Sequence, residues 1–291
     1  MSTETNNESA AAKIAESIAA LPPLPVTAQK VLTCFGDEFI DVDKVTAVVE
    51  GDPGICARLL GLSNSAYFGL AEPVCSIREA ICRVLGVDTV RSLVLAMAIQ
   101  RSFNSRRCPA FNTDRFWMQS LLTAECCKKI AATEQSLDTS VRDLAYSTGL
   151  CHNLGLMAVA HMEPQRTSAV LHAHSESEQP EHLGQRFVAE FGTDHKLLTA
   201  ELARFWQLPE IMLSAYQSRA RRHENSDNRL GLILSAAATA AGNMLTEKES
   251  QVDLGVWAGR LDMESEDLEQ IVVLSDRTQN AAQAMCSNMG D

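Results

Sequence analysis

The sequence predicts an all-α protein, and three observations carry that prediction. Apolar residues recur three and four positions apart along almost the whole chain of 291 residues. Alternating runs rich in Val, Ile, Thr and Tyr, which would mark half-buried strands, are absent. The residues between the apolar stretches are those that start and stop helices.

Taken in order, the polar start Met1 to Ala12 has neither a basic segment nor a long apolar one, so a disordered tail over 1–13 is expected rather than a signal peptide. Leu21-Pro22-Pro23-Leu24-Pro25 forces an extended stretch, after which Val26, Leu32 and Phe35 share a helix that stops at Gly36. Asp41 is placed to cap the next helix. Asp52 accepts from orphan backbone N–H groups while Pro53 takes the first helical position, and that helix runs through Ile55, Leu59 and Leu60 to Asn64. Ser76-Ile77-Arg78-Glu79 is a capping box opening a helix through Ile81 and Leu85 that Gly86 closes. Asp88 is positioned to cap a helix carrying Val90, Leu93, Val94 and Met97. These elements form an N-terminal helical lobe over 14–110. A second lobe over 111–223 contains helices at 115–131, 140–162, 165–174, 185–191, 195–206 and 209–219. A helix at 229–245 and two more between 254 and 289 make a C-terminal part, 224–291, expected to pack on the second lobe.

With 46% hydrophobic residues the chain buries a substantial core, and no apolar run approaches the roughly 20 residues that span a bilayer. A cytoplasmic protein with no membrane contact is expected. The formal charge of −12 opposes a phosphate backbone, and the basic clusters Arg106-Arg107 and Arg219-Ala220-Arg221-Arg222 are short, so they read as solvated faces rather than a nucleic-acid site. Nine cysteines include no Cys-x-x-Cys pair, and Cys56, Cys82, Cys126, Cys127 and Cys151 fall in helical apolar patterns; reduced core thiols are expected. Gly61, Gly69, Gly86 and Gly149 belong to no phosphate loop and serve packing or capping, so no nucleotide cofactor is indicated.

The chemistry centres on His152-Asn153, inside the apolar helix expected over 140–162. An aspartate at 153 beside His152 would suit a divalent metal that hydrolyses phosphate esters. Asparagine is neutral and holds a hard cation far more weakly. His172-Ala173-His174, with His161 and His182 nearby, does not form a zinc site, because residues two apart diverge on a helix and no acidic or thiol ligand follows at ligand spacing. Cys151 adjoins His152, yet neighbouring helical residues do not face one another, so no Cys/His nucleophile is built. His152 reads as a satisfied core histidine, and His195, beside Asp194, as part of a helix start.

Several separated strings carry a resemblance: Leu21-Pro22-Pro23-Leu24-Pro25, Asp52-Pro53, Ala57-Arg58-Leu59-Leu60, Asn64-Ser65-Ala66-Tyr67-Phe68-Gly69 and Ser76-Ile77-Arg78-Glu79-Ala80-Ile81, followed by Leu85-Gly86 and Val90-Arg91. In this order and spacing they resemble the HDOD family over roughly 21–219. The resemblance implies a helical fold related to the HD metal-dependent phosphohydrolases, with an HD-like second lobe, used for output or scaffolding in bacterial signalling. Against the catalytic HD pattern, Gln119 stands where the first ligating histidine would be, and His152-Asn153 where the histidine–aspartate doublet would be. His195 is kept, Ser218 and Arg219 replace paired histidines, and Ser235-Ala236-Ala237 stands near the missing closing aspartate. Two imidazoles without a carboxylate cannot hold a binuclear centre.

The expected function is therefore a non-catalytic HDOD signalling module with a vestigial pocket of Gln119, His152, Asn153, His195 and Ser218, and with neither metal nor cofactor. The resemblance implies sensor kinases, response regulators or cyclic-di-GMP-related proteins as partners; as no receiver, GGDEF or kinase domain is visible in the sequence, the signal is expected to arrive in trans. The alternative is a metal-dependent phosphodiesterase using unusual ligands. Tyr67 and Phe68 beside Gly69 could edge an interaction surface or pack the lobe.

Overall fold

The computed structural model describes residues 21–35, 41–65, 68–175, 183–221, 228–245, 252–274 and 276–289, and among them there are helices and no strand. The expected tail over 1–13, the helix stop at Gly36, and Tyr67, His182 and Arg222 lie outside these residues. The chain packs into two compact units that interleave along the sequence: Met1–Pro23 with Ser102–Asn112 and His152–Leu232, and Leu24–Arg101 with Thr113–Cys151 and Ile233–Asp291.

The larger unit begins with α1 (Val26–Leu32), α2 (Val42–Glu50), α3 (Pro53–Ser63) and α4 (Ile77–Ala80). Asp41 caps α2 by accepting from the N–H groups of Asp43 and Lys44. Asp52 does more than cap α3. It accepts from the Ile55 N–H at 3.2 Å, from the Thr27 hydroxyl of α1 at 3.0 Å and from Arg101 Nη1 at 2.8 Å. One carboxylate thus ties three segments together, as charge-assisted bonds do best. Ser76 Oγ accepts from the Glu79 N–H at 3.1 Å, and the Glu79 carboxylate reaches back to the Cys75 N–H, one residue outside the expected box.

The ordinary helix expected through Leu85 is instead a π turn over Ile81–Leu85, closed by the Gly86 N–H donating to Ile81 O at 3.0 Å. Gly86 then takes φ +79, a conformation that favours glycine, and starts α5 (Val87–Gln100). Asp88 is not the cap of α5. It sits in the first turn and pairs with Arg91. Arg91 is 2% exposed, a burial made tolerable by that pair, by donation to Cys34 O at 2.7 Å and by the Phe35 ring 4.5 Å from its guanidinium. From Val90 to Ile99 every side chain of α5 is buried, so it is the central helix of the unit.

The long α6 (Thr113–Thr133) pairs with α7 (Thr139–Leu150), and a β-carbon at Gly149 would stand 2.6 Å from Ala124 Cα, which explains a glycine where the backbones touch. Ser92 and Ser147 hydroxyls meet at 2.6 Å between α5 and α7.

The smaller unit holds α8 (Leu154–Met162), α9 (Pro164–Ser175), α10 (Leu183–Phe191), α11 (His195–Phe205) and α12 (Glu210–Ala220). Trp206 anchors the proline-rich start by donating from Nε1 to Pro22 O at 3.3 Å, and its ring lies 5.7 Å from Phe103.

The C-terminal part consists of α13 (Arg229–Met244), α14 (Gly255–Arg260), α15 (Ser265–Val272) and α16 (Asp276–Met289). Three helices therefore follow residue 254 where two were expected, because Asp262 at φ 54 turns the chain between α14 and α15. Both α15 and α16 pack on α6. The thiols are not all in the core. Cys75 and Cys82 are exposed and Cys56 is half-buried, while the other six cysteines are buried. No helix among the described residues is long and apolar enough to cross a membrane.

Candidate functional site

His152-Asn153 does not lie inside a helix. The expected helix over 140–162 is two, α7 and α8, separated by turn residues Cys151, His152 and Asn153. Cys151 ends α7 with φ −94 and ψ 4, and Asn153 precedes α8 with φ −119 and ψ 15, the sparsely populated bridge region where site residues often sit. The apolar spacing runs on through Leu150, Leu154 and Met157 across this break, so the periodicity hides it even though His152 and Asn153 are polar. His152 is 1% exposed and Asn153 7%.

Two residues beyond Asn153, Gly155 brings the second histidine in. A β-carbon on Gly155 would lie 2.1 Å from His195 O and 2.6 Å from Thr199 N, so α8 and α11 meet backbone to backbone. Thr199 Oγ1 accepts the Gly155 N–H at 3.0 Å, and the same hydroxyl donates back to His195 O at 3.2 Å. Gly155 and Thr199 were not among the sequence candidates. Their only signal was a glycine two positions after the doublet in a strongly apolar stretch.

His195 opens α11 behind the cap residue Asp194, which accepts from the Lys196 N–H at 2.9 Å. Asp194 Oδ1 stands 3.1 Å from His195 Nδ1, and the Phe187 ring packs 5.1 Å from the imidazole. Burial lowers the His195 pKa, overriding the raising effect of Asp194, so the ring is neutral near pH 7. Burial raises the Asp194 carboxyl, but His195 and the Lys196 N–H outweigh it and hold it well below the usual carboxylate range. Gly184 permits this arrangement, since a β-carbon there would fall 2.4 Å from Asp194 Oδ2.

Ser218 is 6% exposed on α12 and abuts Gly231 of α13, where a β-carbon would meet its hydroxyl at 2.6 Å. Its neighbour Arg219 reaches the His152 carbonyl at a long 3.5 Å and lowers the His195 pKa through its charge. A cation therefore stands at this end of the unit. Gln119 is half-buried on α6 in the other compact unit.

Of the family-motif positions, Leu21 and Leu24 are buried, Pro25 precedes α1, Pro53 opens α3, and Pro22, Pro23, Ser65 and Gly69 line loops. Asn64 clamps its loop with both amide atoms, donating to Val74 O at 2.8 Å and accepting from the Val74 N–H at 2.7 Å. Gly69 has φ +57, which a β-carbon would strain. Among the other histidines, His161 accepts the Asn104 N–H at 3.0 Å, and His172 is exposed near the end of α9.

The donor set does not fit a divalent metal centre. Among the described residues no three His, Cys, Asp or Glu side chains group so as to hold one. Around His152 and His195 stand imidazole, amide, hydroxyl and guanidinium groups, and the one carboxylate against them, Asp194, is taken up by the Lys196 N–H and lies against His195 Nδ1.

The family profile of the HDOD domain matches residues 21–221. An uncharacterized protein of Treponema pallidum (strain Nichols) is 26% identical over 215 residues, 72% of this chain and 40% of that relative, so the chain spans well under half of its length. Two solved structures share the fold. One is a candidate signal transduction protein of Marinobacter aquaeolei VT8, with TM-score 0.80 and 21% identity over 98% of this chain and 67% of that one. The other is a candidate phosphohydrolase of Shewanella amazonensis SB2B, with TM-score 0.73 and 20% identity over 95% and 97%. The helical fold and the match over 21–221 together place this chain in the HDOD family.

Proposed function

We propose that this HDOD chain is a non-catalytic signalling module of the bacterial cytoplasm, acting by binding proteins such as sensor kinases, response regulators or cyclic-di-GMP-related proteins. The observation that carries this reading is the chemistry of the pocket: Asn153 is an amide, His195 is held neutral by burial, and Arg219 stands nearby. Hydrolysis of the HD kind needs anionic oxygen ligands to balance two metal charges and orient a hydroxide. Apart from Asp194, whose carboxylate is already engaged by the Lys196 N–H and lies against His195, the donor set is neutral or cationic and opposes that charge.

The test is hydrolysis of bis-(p-nitrophenyl) phosphate and of cyclic dinucleotides in the presence of Mn²⁺ or Mg²⁺. No turnover above that of His152→Ala is expected. Metal-dependent turnover abolished in His152→Ala would defeat the proposal.

A second reading, a phosphodiesterase with unusual ligands, draws on one observation. Asn153 Oδ1 is buried with no hydrogen-bond partner among the described residues, and an amide oxygen can take a hard cation, weakly.

A further inference from the structure

A groove of about 590 Å³ opens in the larger unit among α13, the segment before α14, the end of α15 with the residues after it, and Gln279 of α16. It lies wholly outside the 21–221 stretch that matches the family. Ala240 and Met244 of α13 line it together with Leu254, Val272 and Leu274, the last three buried. Val252 and Val273 also line it and are 52% and 64% exposed.

The walls are fixed from behind. Asn243 donates to Val252 O and accepts from the Val252 N–H, both at 2.8 Å, and Cys126 and Lys129 of α6 reach the carbonyls of Val272 and Val273. The groove is thus a preformed feature, and its volume falls within the roughly 300–1,000 Å³ of sites that take a ligand.

Its charge is one-sided. Asp253 and Glu269 line it, and between 252 and 274 the sequence places six carboxylates (Asp253, Asp262, Glu264, Glu266, Asp267, Glu269) against Arg260 alone. All six are exposed. Lys129 adds one positive charge at the rim, directed at the Val273 carbonyl at 2.7 Å. An apolar floor whose lining holds two carboxylates and no cation complements an apolar segment bordered by cations, the pattern of an amphipathic helix laid into a groove. A membrane surface, anionic in bacteria as elsewhere, meets repulsion from the same carboxylates.

We propose that this groove docks an amphipathic helix of a partner protein, with apolar anchors on one face flanked by lysines and arginines. The proposal rests on the protein-binding reading and gives it a surface separate from the vestigial pocket. Charge complementarity speeds encounter and excludes wrong partners, while the apolar anchors hold the complex.

The experiment uses the full chain and two fluorescein-labelled synthetic helices, one with leucines on one face flanked by lysines, and a twin with glutamates replacing the lysines. Fluorescence anisotropy is expected to show one lysine helix bound per chain, weakened several-fold between 50 and 300 mM salt, with no binding of the glutamate twin. Val273→Asp and the double reversal Glu266→Lys/Glu269→Lys, all at exposed positions, are each expected to weaken binding about tenfold or more. Glu50→Lys, an exposed reversal at the end of α2, is expected to leave it within about twofold, with all variants melting as the wild type does. Equal binding of the twin, equal loss in Glu50→Lys, or binding of neither helix would overturn the proposal. So would a dimer seen by light scattering that dissociates in Val273→Asp, which would assign the groove to a second copy. Any of these results leaves the non-catalytic reading standing, since that falls only to metal-dependent hydrolysis.

Discussion

Replacing Gly155 with alanine is predicted to destabilise the smaller unit even though alanine is the better helix former. The new β-carbon would stand 2.1 Å from His195 O, against an ordinary contact of at least 3.4 Å, so α8 and α11 must part by more than an ångström. Both obstructing atoms nearest the site, His195 O and Thr199 N, are backbone and cannot swing aside. Overpacking of this kind costs about 1–3 kcal/mol. Parting the helices also weakens the buried bond from the Gly155 N–H to Thr199, worth about 1–3 kcal/mol if its donor is left unpaired. The alanine returns about 1 kcal/mol of helix propensity. The net is a loss of about 3 kcal/mol, which lowers Tm by roughly 6–12 °C for a cooperative unit. The assay is a thermal melt followed by circular dichroism. Gly242→Ala on α13 is the internal control, because nothing lies within 4 Å of its would-be β-carbon; it should be neutral or stabilising by about 0.5 kcal/mol. If Gly155→Ala melted at or above the wild type, the close approach of α8 and α11 would be refuted.

Asn64→Ala should cost about 1–2 kcal/mol and release the Val74 amide to hydrogen exchange, whereas unchanged protection there would remove the clamp. Because burial lowers the His195 pKa, the unfolded chain binds that proton first; stability should be full above about pH 6.5 and fall as pH drops towards the folded value, and His195→Gln should erase this limb in pH-dependent urea melts. In the native state Cys75 and Cys82 should react first with a thiol reagent, while Cys126 and Cys151, whose burial pushes each up to about 12, should react only after unfolding.

The helical class and most element boundaries were legible because apolar spacing and caps such as Asp41, Asp52, Ser76 and Asp194 act over a few residues. Interleaved packing was not legible. The chain leaves one unit at Cys151 and enters the other at His152, and nothing local marks this, since all residues from Leu144 to Ala160 are buried. The π turn over Ile81–Leu85 was equally hidden, because one extra residue per turn leaves the capping box and closing glycine in place. At the candidate site, residue types were readable and their support was not. Gly155, Gly184 and Thr199 position the site through close approach, a property of two helices that neither helix's sequence states alone. Asn64 was readable as a helix end, but its clamp on Val74 spans ten residues and depends on the loop's path.

If the groups around His152, Asn153 and His195 hold no catalytic metal, as proposed, the purified chain stays nearly metal-free after incubation with Mn²⁺, Fe²⁺ and Zn²⁺ and exhaustive dialysis. Elemental analysis should then find far less than one metal ion per chain, unchanged in His152→Ala. One or two tightly held transition-metal ions per chain, lost in His152→Ala, would contradict it.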